Sequence, residues 1–355
     1  MSDKPLPAAG ETPRAVILGC AGEELTKAER AFFGAADPLG FILFGRNCGM
    51  PGQVRDLVAS LRDSVGRADA PVLIDQEGGR VARLGPPHWR RYPAASLLAE
   101  LPDPIAAEAV GLCARLIADD LGGLGITVDC APVLDLPTPG ADPVIGDRAY
   151  GGGPERVARM ARAACDGLLA GGVLPVVKHI PGHGRARVDS HRECPLVDAA
   201  HDVLASTDFA PFRALADMPW AMTAHIVYSA IDSDLPATLS PCVIGEIIRG
   251  EIGFDAVLIS DDLSMGALGG SLSGRARQAL AAGCDLVLHC SGDLSEMAEI
   301  AVATGAVSVA TAARLARGEE LRRRSRRDFD RPAAEARFDR LLARYSVAAV
   351  AKSAR

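Results

Sequence analysis

The 355-residue sequence predicts an α/β fold: a single (β/α)8 barrel of the TIM type with extra C-terminal helices. Three observations carry that expectation. Eight short apolar runs rich in Val, Ile and Leu recur along the chain, segments of helical character separate them, and ionisable residues stand where the runs end. Continuous apolar runs, unlike alternating ones, mark strands buried on both faces, as in parallel sheets. Eight strands alternating with helices favour closure into a barrel over an open doubly wound sheet. An open dinucleotide-binding sheet would want a glycine-rich turn after an early strand; Gly78-Gly79, the nearest candidate, lacks GxGxxG spacing.

In chain order the runs are AVILGCAG from Ala15, GFILFGRN from Gly40, PVLIDQEGG from Pro71 and ITVDCAPVLDL from Ile126. LPVVKHIPGHG from Leu174, WAMTAHIVYSAI from Trp220, AVLISDDL from Ala256 and CDLVLHC from Cys284 complete the eight. The clearest intervening helices are Pro51–Val65, Ile105–Leu121, Pro154–Ala170, Asp202–Asp217 and Pro241–Glu251. Several begin with Pro in the first turn, where its missing N–H costs nothing, and several end at Gly122, Gly171 or Gly283. No linker or repeat divides the chain. Residues 1–14 read as a lead, 15–345 as the barrel with its C-terminal helices, and 346–355 as a tail whose final Ala-Lys-Ser-Ala-Arg is expected to be disordered.

Composition is that of an ordinary globular protein: 48% hydrophobic and 23% charged, with 38 Lys plus Arg against 45 Asp plus Glu. A net charge of −7 leaves no electrostatic footprint for nucleic acid or anionic lipid, so neither is expected as a partner. Arg322 to Arg327, five of six residues Arg, reads as a solvated helix face. Nine cysteines with no CxxC and no zinc spacing read as reduced core thiols and point to the cytoplasm. The apolar stretch Ala15–Gly19 before Cys20 is too short for a signal peptide and reads as the first buried strand. No run of 18 apolar residues suggests a membrane span.

In such barrels the site lies where the strands end. Here those ends carry Asp75-Gln76-Glu77, Asp129 and Asp135, Lys178-His179, His225, Asp261-Asp262 and His289. Charges there are costly to bury unless paired or used, so convergence from six strands points to an active site. The segment KHIPGHGRARVDSHRECP, Lys178 to Pro195, is the most informative. Pro181, Gly182 and Gly184 forbid a helix, so His179 and His183 are not an i, i+4 metal pair. Asp189 and His191 stand two apart in an irregular loop, where a carboxylate can tune an imidazole into a general acid/base; a solvated loop histidine is the competing reading. His179, His225 and His289 would suit a metal-dependent barrel hydrolase, but the first strand end has no HxH, and no metal or organic cofactor is expected.

KHIPGHG followed four residues later by DSH resembles glycoside hydrolase family 3, and within it the single-domain enzymes of bacterial peptidoglycan recycling. IDQEGGRVARL from Ile74, IGDRAYGG from Ile145 and LISDDLSMGAL from Leu258 match as well, in the same order and strand positions. The resemblance implies a retaining β-N-acetylhexosaminidase with Asp261 as nucleophile, and His191 with its partner Asp189 as acid/base. It also implies that Asp75, Arg83, Arg148, Lys178 and His179 hold an N-acetylglucosamine ring. Asp261 and Asp262 should point to opposite faces of their strand, so only one can reach the sugar. Relatives with a second domain take their acid/base from it, whereas this chain is expected to supply its own. The implied substrate is a carbohydrate, an N-acetylglucosamine-bearing muropeptide fragment, acted on by a cytoplasmic monomer. A phosphorylase on the same fold is the nearest alternative, since a neutral His repels phosphate less than a carboxylate would.

Overall fold

The computed structural model describes residues 12–353. Eight parallel strands close into one barrel: β1 (Arg14–Leu18), β2 (Pro38–Leu43), β3 (Val72–Ile74) and β4 (Val128–Asp129), then β5 (Leu174–Ile180), β6 (Trp220–Thr223), β7 (Val257–Asp262) and β8 (Leu286–His289). Each strand pairs with its neighbours in sequence, and β8 closes on β1 with Val16 opposite Val287. All eight apolar runs therefore become barrel strands. A short parallel pair, Leu196–Val197 with Val227–Tyr228, lies outside the barrel.

Side-chain alternation divides the strands between two cores. Ile17, Leu73, Val128, Val176, Met222, Ile259 and Leu288 fill the barrel interior. Their neighbours Val16, Leu18, Val72, Ile74, Val177 and Leu258 pack outward against the helices. This parity positions the site. Asp75 continues the inward row after Leu73, Lys178 after Val176, and Asp261 after Val257 and Ile259, so three charged groups emerge where the interior packing ends.

The helices Pro51–Ser64, Ile105–Gly122 and Pro154–Ala170 form as the sequence predicts. The expected helix Asp202–Asp217 is two short ones, His201–Ser206 and Ala210–Ala214. Pro211 explains the break: it has no N–H for the preceding turn and starts the second helix instead. The segment expected from Pro241 is wound as a π-helix over Val243–Glu251. The last helix, Arg331–Ser353, crosses the helix Ile105–Gly122, tied by Arg331 to Asp119 (2.8 Å) and Arg337 to Glu108 (2.6 Å). Residues 346–353 thus extend this helix where a tail was expected; residues 1–11 of the lead and the final two residues lie outside the described residues.

The arginine run is largely the solvated surface expected: Arg323, Arg324, Arg326 and Arg327 are exposed and Arg322 is half-buried. Arg322 pairs with Glu319 and donates to the Gly172 carbonyl (2.9 Å), while Arg326 and Arg327 lie beyond the helix end at Ser325. All nine cysteines are free thiols; five are buried, Cys48, Cys242 and Cys290 are half-buried, and Cys194 is exposed. Among the described residues no helix is long and apolar enough to cross a membrane.

Candidate active site

A pocket of about 390 Å³ opens at the C-terminal rim of the barrel, a volume in the range of small-ligand sites. Asp75, Arg83, Arg148, Lys178, His179, His191 and Asp261 line it. Asp189, the remaining expected site residue, stands behind His191.

The floor is an ion-pair cluster. Lys178, 2% exposed, donates to Asp75 (2.8 Å) and Glu77 (2.7 Å). Arg83 reaches the other oxygen of Asp75 (3.0 Å), and Arg148 clasps Glu77 through two bonds of 2.9 Å. Burial alone would raise both carboxyls, but Lys178 with Arg83, and Lys178 with Arg148, hold them below their ordinary values. The same carboxylates hold the Lys178 ammonium charged against its burial. Such a cluster presents fixed acceptors and donors, able to grip the hydroxyl groups of a polar ligand. Glu77 was not singled out as a site residue, although its place two residues after Asp75 was a usable signal.

Asp261 and Asp262 differ in what occupies their oxygens. Asp261 Oδ1 accepts the Asp262 N–H (2.8 Å), and its Oδ2 stands 4.0 Å from His179 Nε2, toward the pocket. Burial pushes this carboxyl up, but His179, His225, the Asp262 N–H and Lys178 outweigh it, so Asp261 is an anion at neutral pH. Asp262 accepts the Ser264 N–H (3.1 Å), the Ser264 hydroxyl and the Cys290 N–H (3.3 Å). It caps the turn after β7. Both carboxylates border the pocket, so alternation alone does not separate them; the hydrogen bonds do.

His179 owes its orientation to Asp135, whose Oδ2 holds its Nδ1 at 2.7 Å. A carboxylate only accepts, so Nδ1 carries the hydrogen and Nε2 is the atom turned to Asp261. A register irregularity in β5 between Lys178 and Ile180 lets consecutive residues both face the pocket. In the following loop His191 Nδ1 lies 2.7 Å from Asp189 Oδ1, which also accepts the His191 backbone N–H (2.9 Å). By the same logic His191 Nε2 is left for a ligand. Burial would raise the Asp189 carboxyl, but the His191 N–H and ring hold it low.

Six of the expected strand-end residues, Gln76, Glu77, Asp129, Asp135, His225 and His289, do not line the pocket. His225 is buried between Thr238 (2.7 Å) and the Asp262 carbonyl (3.1 Å), where it braces the strand that carries Asp261. His289 is buried beside Ser291 (2.9 Å) and Glu296 (3.3 Å). Both histidine rings are held below their ordinary pKa, chiefly by burial. Among the described residues no three His, Cys, Asp or Glu side chains are grouped to hold a metal ion.

Asp129 is also off the pocket, enclosed behind β4 beside a cavity of about 40 Å³. Its Oδ1 accepts the Gln76 N–H (2.9 Å), its Oδ2 has no hydrogen-bond partner among the described residues, and burial raises its pKa to about 7. A carboxyl raised in the folded state binds its proton more tightly than in the unfolded chain. Its ionisation therefore costs stability progressively from about pH 4, where the unfolded chain ionises, to about pH 7 and above. Asp129→Asn, which keeps the acceptor for Gln76, is expected to unfold at higher temperature than wild type at pH 8. The difference, on the order of 1–3 kcal/mol, should vanish near pH 4. Thermal unfolding of both proteins across that range checks it; a constant difference would show that the Asp129 charge is not the cause.

Comparison with known proteins adds a family. The glycosyl hydrolase family 3 N terminal domain matches residues 29–317. A protein named beta-hexosaminidase from Alkalilimnicola ehrlichii is 41% identical over 283 residues, 78% of this chain and 80% of that one. One of the same name from Pseudomonas aeruginosa is 39% identical over 291 residues, 81% and 85% of the two chains. Among solved structures, NagZ from Neisseria gonorrhoeae in complex with N-trifluoroacetyl-D-glucosamine superposes with a TM-score of 0.82 at 32% identity, covering 93% of this chain and 98% of that one. A family 3 β-N-acetylglucosaminidase from Paenibacillus gives 0.78 at 34% identity; the chain covers 62% of that longer protein.

Proposed function

The chain belongs to glycosyl hydrolase family 3 and is a β-N-acetylhexosaminidase, and from that premise we propose how it works and on what. It removes a non-reducing terminal β-linked N-acetylglucosamine with retention of configuration. The observation that carries this reading is the pairing, in one pocket, of an anionic Asp261 with an Asp189-backed His191 beside the Asp75–Lys178–Arg83 cluster.

A retaining glycosidase needs an ionised nucleophile below the anomeric carbon and a proton donor on the leaving-group side. Asp261 Oδ2 forms the bond to the anomeric carbon as the glycosidic C–O bond breaks, and the electron pair leaves with the aglycone oxygen. His191 gives that oxygen its Nε2 proton. In the second half-reaction the neutral imidazole takes a proton from water as the water oxygen displaces Asp261. Histidine suits both roles because its unperturbed pKa lies near neutrality. Asp75, Arg83, Arg148, Lys178 and His179 grip the ring and place its anomeric carbon over Asp261.

The substrate pool is proposed to be (anhydro)muropeptide fragments in the cytoplasm, supported by the motif resemblance and by nine free thiols suited to a reducing compartment. One chain completes the pocket, so a monomer suffices. The expected result is rapid hydrolysis of an aryl β-N-acetylglucosaminide, with the β-anomer of the free sugar formed first, and turnover of the matching β-glucoside slower by about 100-fold or more. Chromogenic assay and product NMR check it. Equal rates on the two sugars, or inversion, would overturn it.

A further inference from the structure

We propose that Gly266 is a positioning residue for the acid/base: its lack of a side chain lets the turn after the nucleophile clasp the Asp189–His191 loop, holding His191 over the pocket that Asp261 floors. The inference rests on the reading of His191 as acid/base.

Two backbone bonds make the clasp. The Gly266 N–H donates to the His191 carbonyl (3.0 Å), and the Ala267 N–H donates to the Ser190 carbonyl (3.1 Å). A Cβ on Gly266 would lie 2.4 Å from the Arg192 oxygen, 2.8 Å from its carbonyl carbon and 3.0 Å from the His191 oxygen. All three are backbone atoms, so no side chain can swing aside and the loop itself must move. Gly266 is not among the glycines with left-handed φ, so its own backbone would accept alanine. The contact, not the conformation, demands glycine here.

Both sides of the clasp are fixed. On one side the Asp262 carboxylate caps the turn through Ser264 and Cys290, and the Met265 N–H donates to the Asp262 carbonyl (3.2 Å). On the other side buried Ser190 meets His183 Nε2 (2.9 Å), and the His183 N–H donates to Asp135 (2.6 Å), the carboxylate that also orients His179. Between these anchors the His191 side chain is 62% exposed, and among the described residues its ring bonds only to Asp189, two residues away. The ring therefore goes where its backbone is held. Displacement by about 1 Å can cost about 100-fold in a step that needs alignment.

The test compares Gly266→Ala with Gly269→Ala, a nearby glycine whose Cβ would meet nothing within 4 Å, and with His191→Ala. Gly266→Ala should lower the glycosylation rate on a disaccharide by about 10–100-fold and on an activated aryl glycoside by less than about threefold, with KM for the aryl substrate little changed. Gly269→Ala should match wild type. Should Gly266→Ala not fold, Ser190→Ala, which removes the opposite anchor, is expected to show the same asymmetry more weakly, and its absence would be decisive against the clasp. A leaving-group-dependent loss in His191→Ala without one in Gly266→Ala overturns the inference alone. Equal losses on both substrates in His191→Ala overturn the acid/base reading and the inference with it.

Discussion

Asp261→Asn is expected to lower kcat by about 10⁴-fold or more on every β-N-acetylglucosaminide, since without the carboxylate no glycosyl-enzyme can form. The fold should survive. Among the described residues Asp261 accepts one hydrogen bond, from the Asp262 N–H, and the amide keeps an oxygen there. Asp262→Ala should behave in the opposite way. It strips the acceptor from Ser264 and Cys290, so the turn after β7 loses its cap and stability falls by about 1–3 kcal/mol. Catalysis should persist at a reduced level, because the nucleophile remains while the clasp that the turn offers to the acid/base loop is loosened. A fluorinated mechanism-based sugar trapped on the enzyme and located by mass spectrometry separates the two. An adduct on Asp262 would reverse the assignment.

That contrast shows what a sequence can and cannot say. Strand alternation placed Asp75, Lys178 and Asp261 on one inward row, because a period of two is a property of the chain itself. The eight strands were legible for the same reason: each buries both faces and so reads as an unbroken apolar run. His225 and His289 looked equivalent to His179 by position, yet each turns from the pocket, His225 toward Thr238 and His289 toward Ser291 and Glu296. Those residues lie nearby in sequence, but only the folded loops after the strands bring them against the rings. Asp135 and Ser190 were likewise visible only as polar residues near a motif; their value lies in bonds to His179 and His183 that the fold creates. Gly266 stood only as one letter of the LISDDLSMGAL motif, without a reason, since what it makes room for is the backbone of a loop some 75 residues earlier.

The Asp189–His191 pair yields the second large effect, and one whose size depends on the substrate. A sugar leaving group is a poor one and needs its oxygen protonated as the bond breaks; an activated phenol needs far less help. His191→Ala should slow cleavage of the natural disaccharide by about 10²–10⁴-fold, and aryl-glycoside glycosylation much less. Deglycosylation loses its base with either substrate, so the aryl substrate should show a burst, with the glycosyl-enzyme accumulating on Asp261. Asp189→Ala should reproduce the pattern more weakly. The imidazole would remain but lose the carboxylate at 2.7 Å that orients it. If the loop merely shaped the pocket, both substrates would suffer alike and no burst would appear. Pre-steady-state measurement of the two variants on both substrate types distinguishes these outcomes, and equal losses would remove His191 from the proton-transfer role.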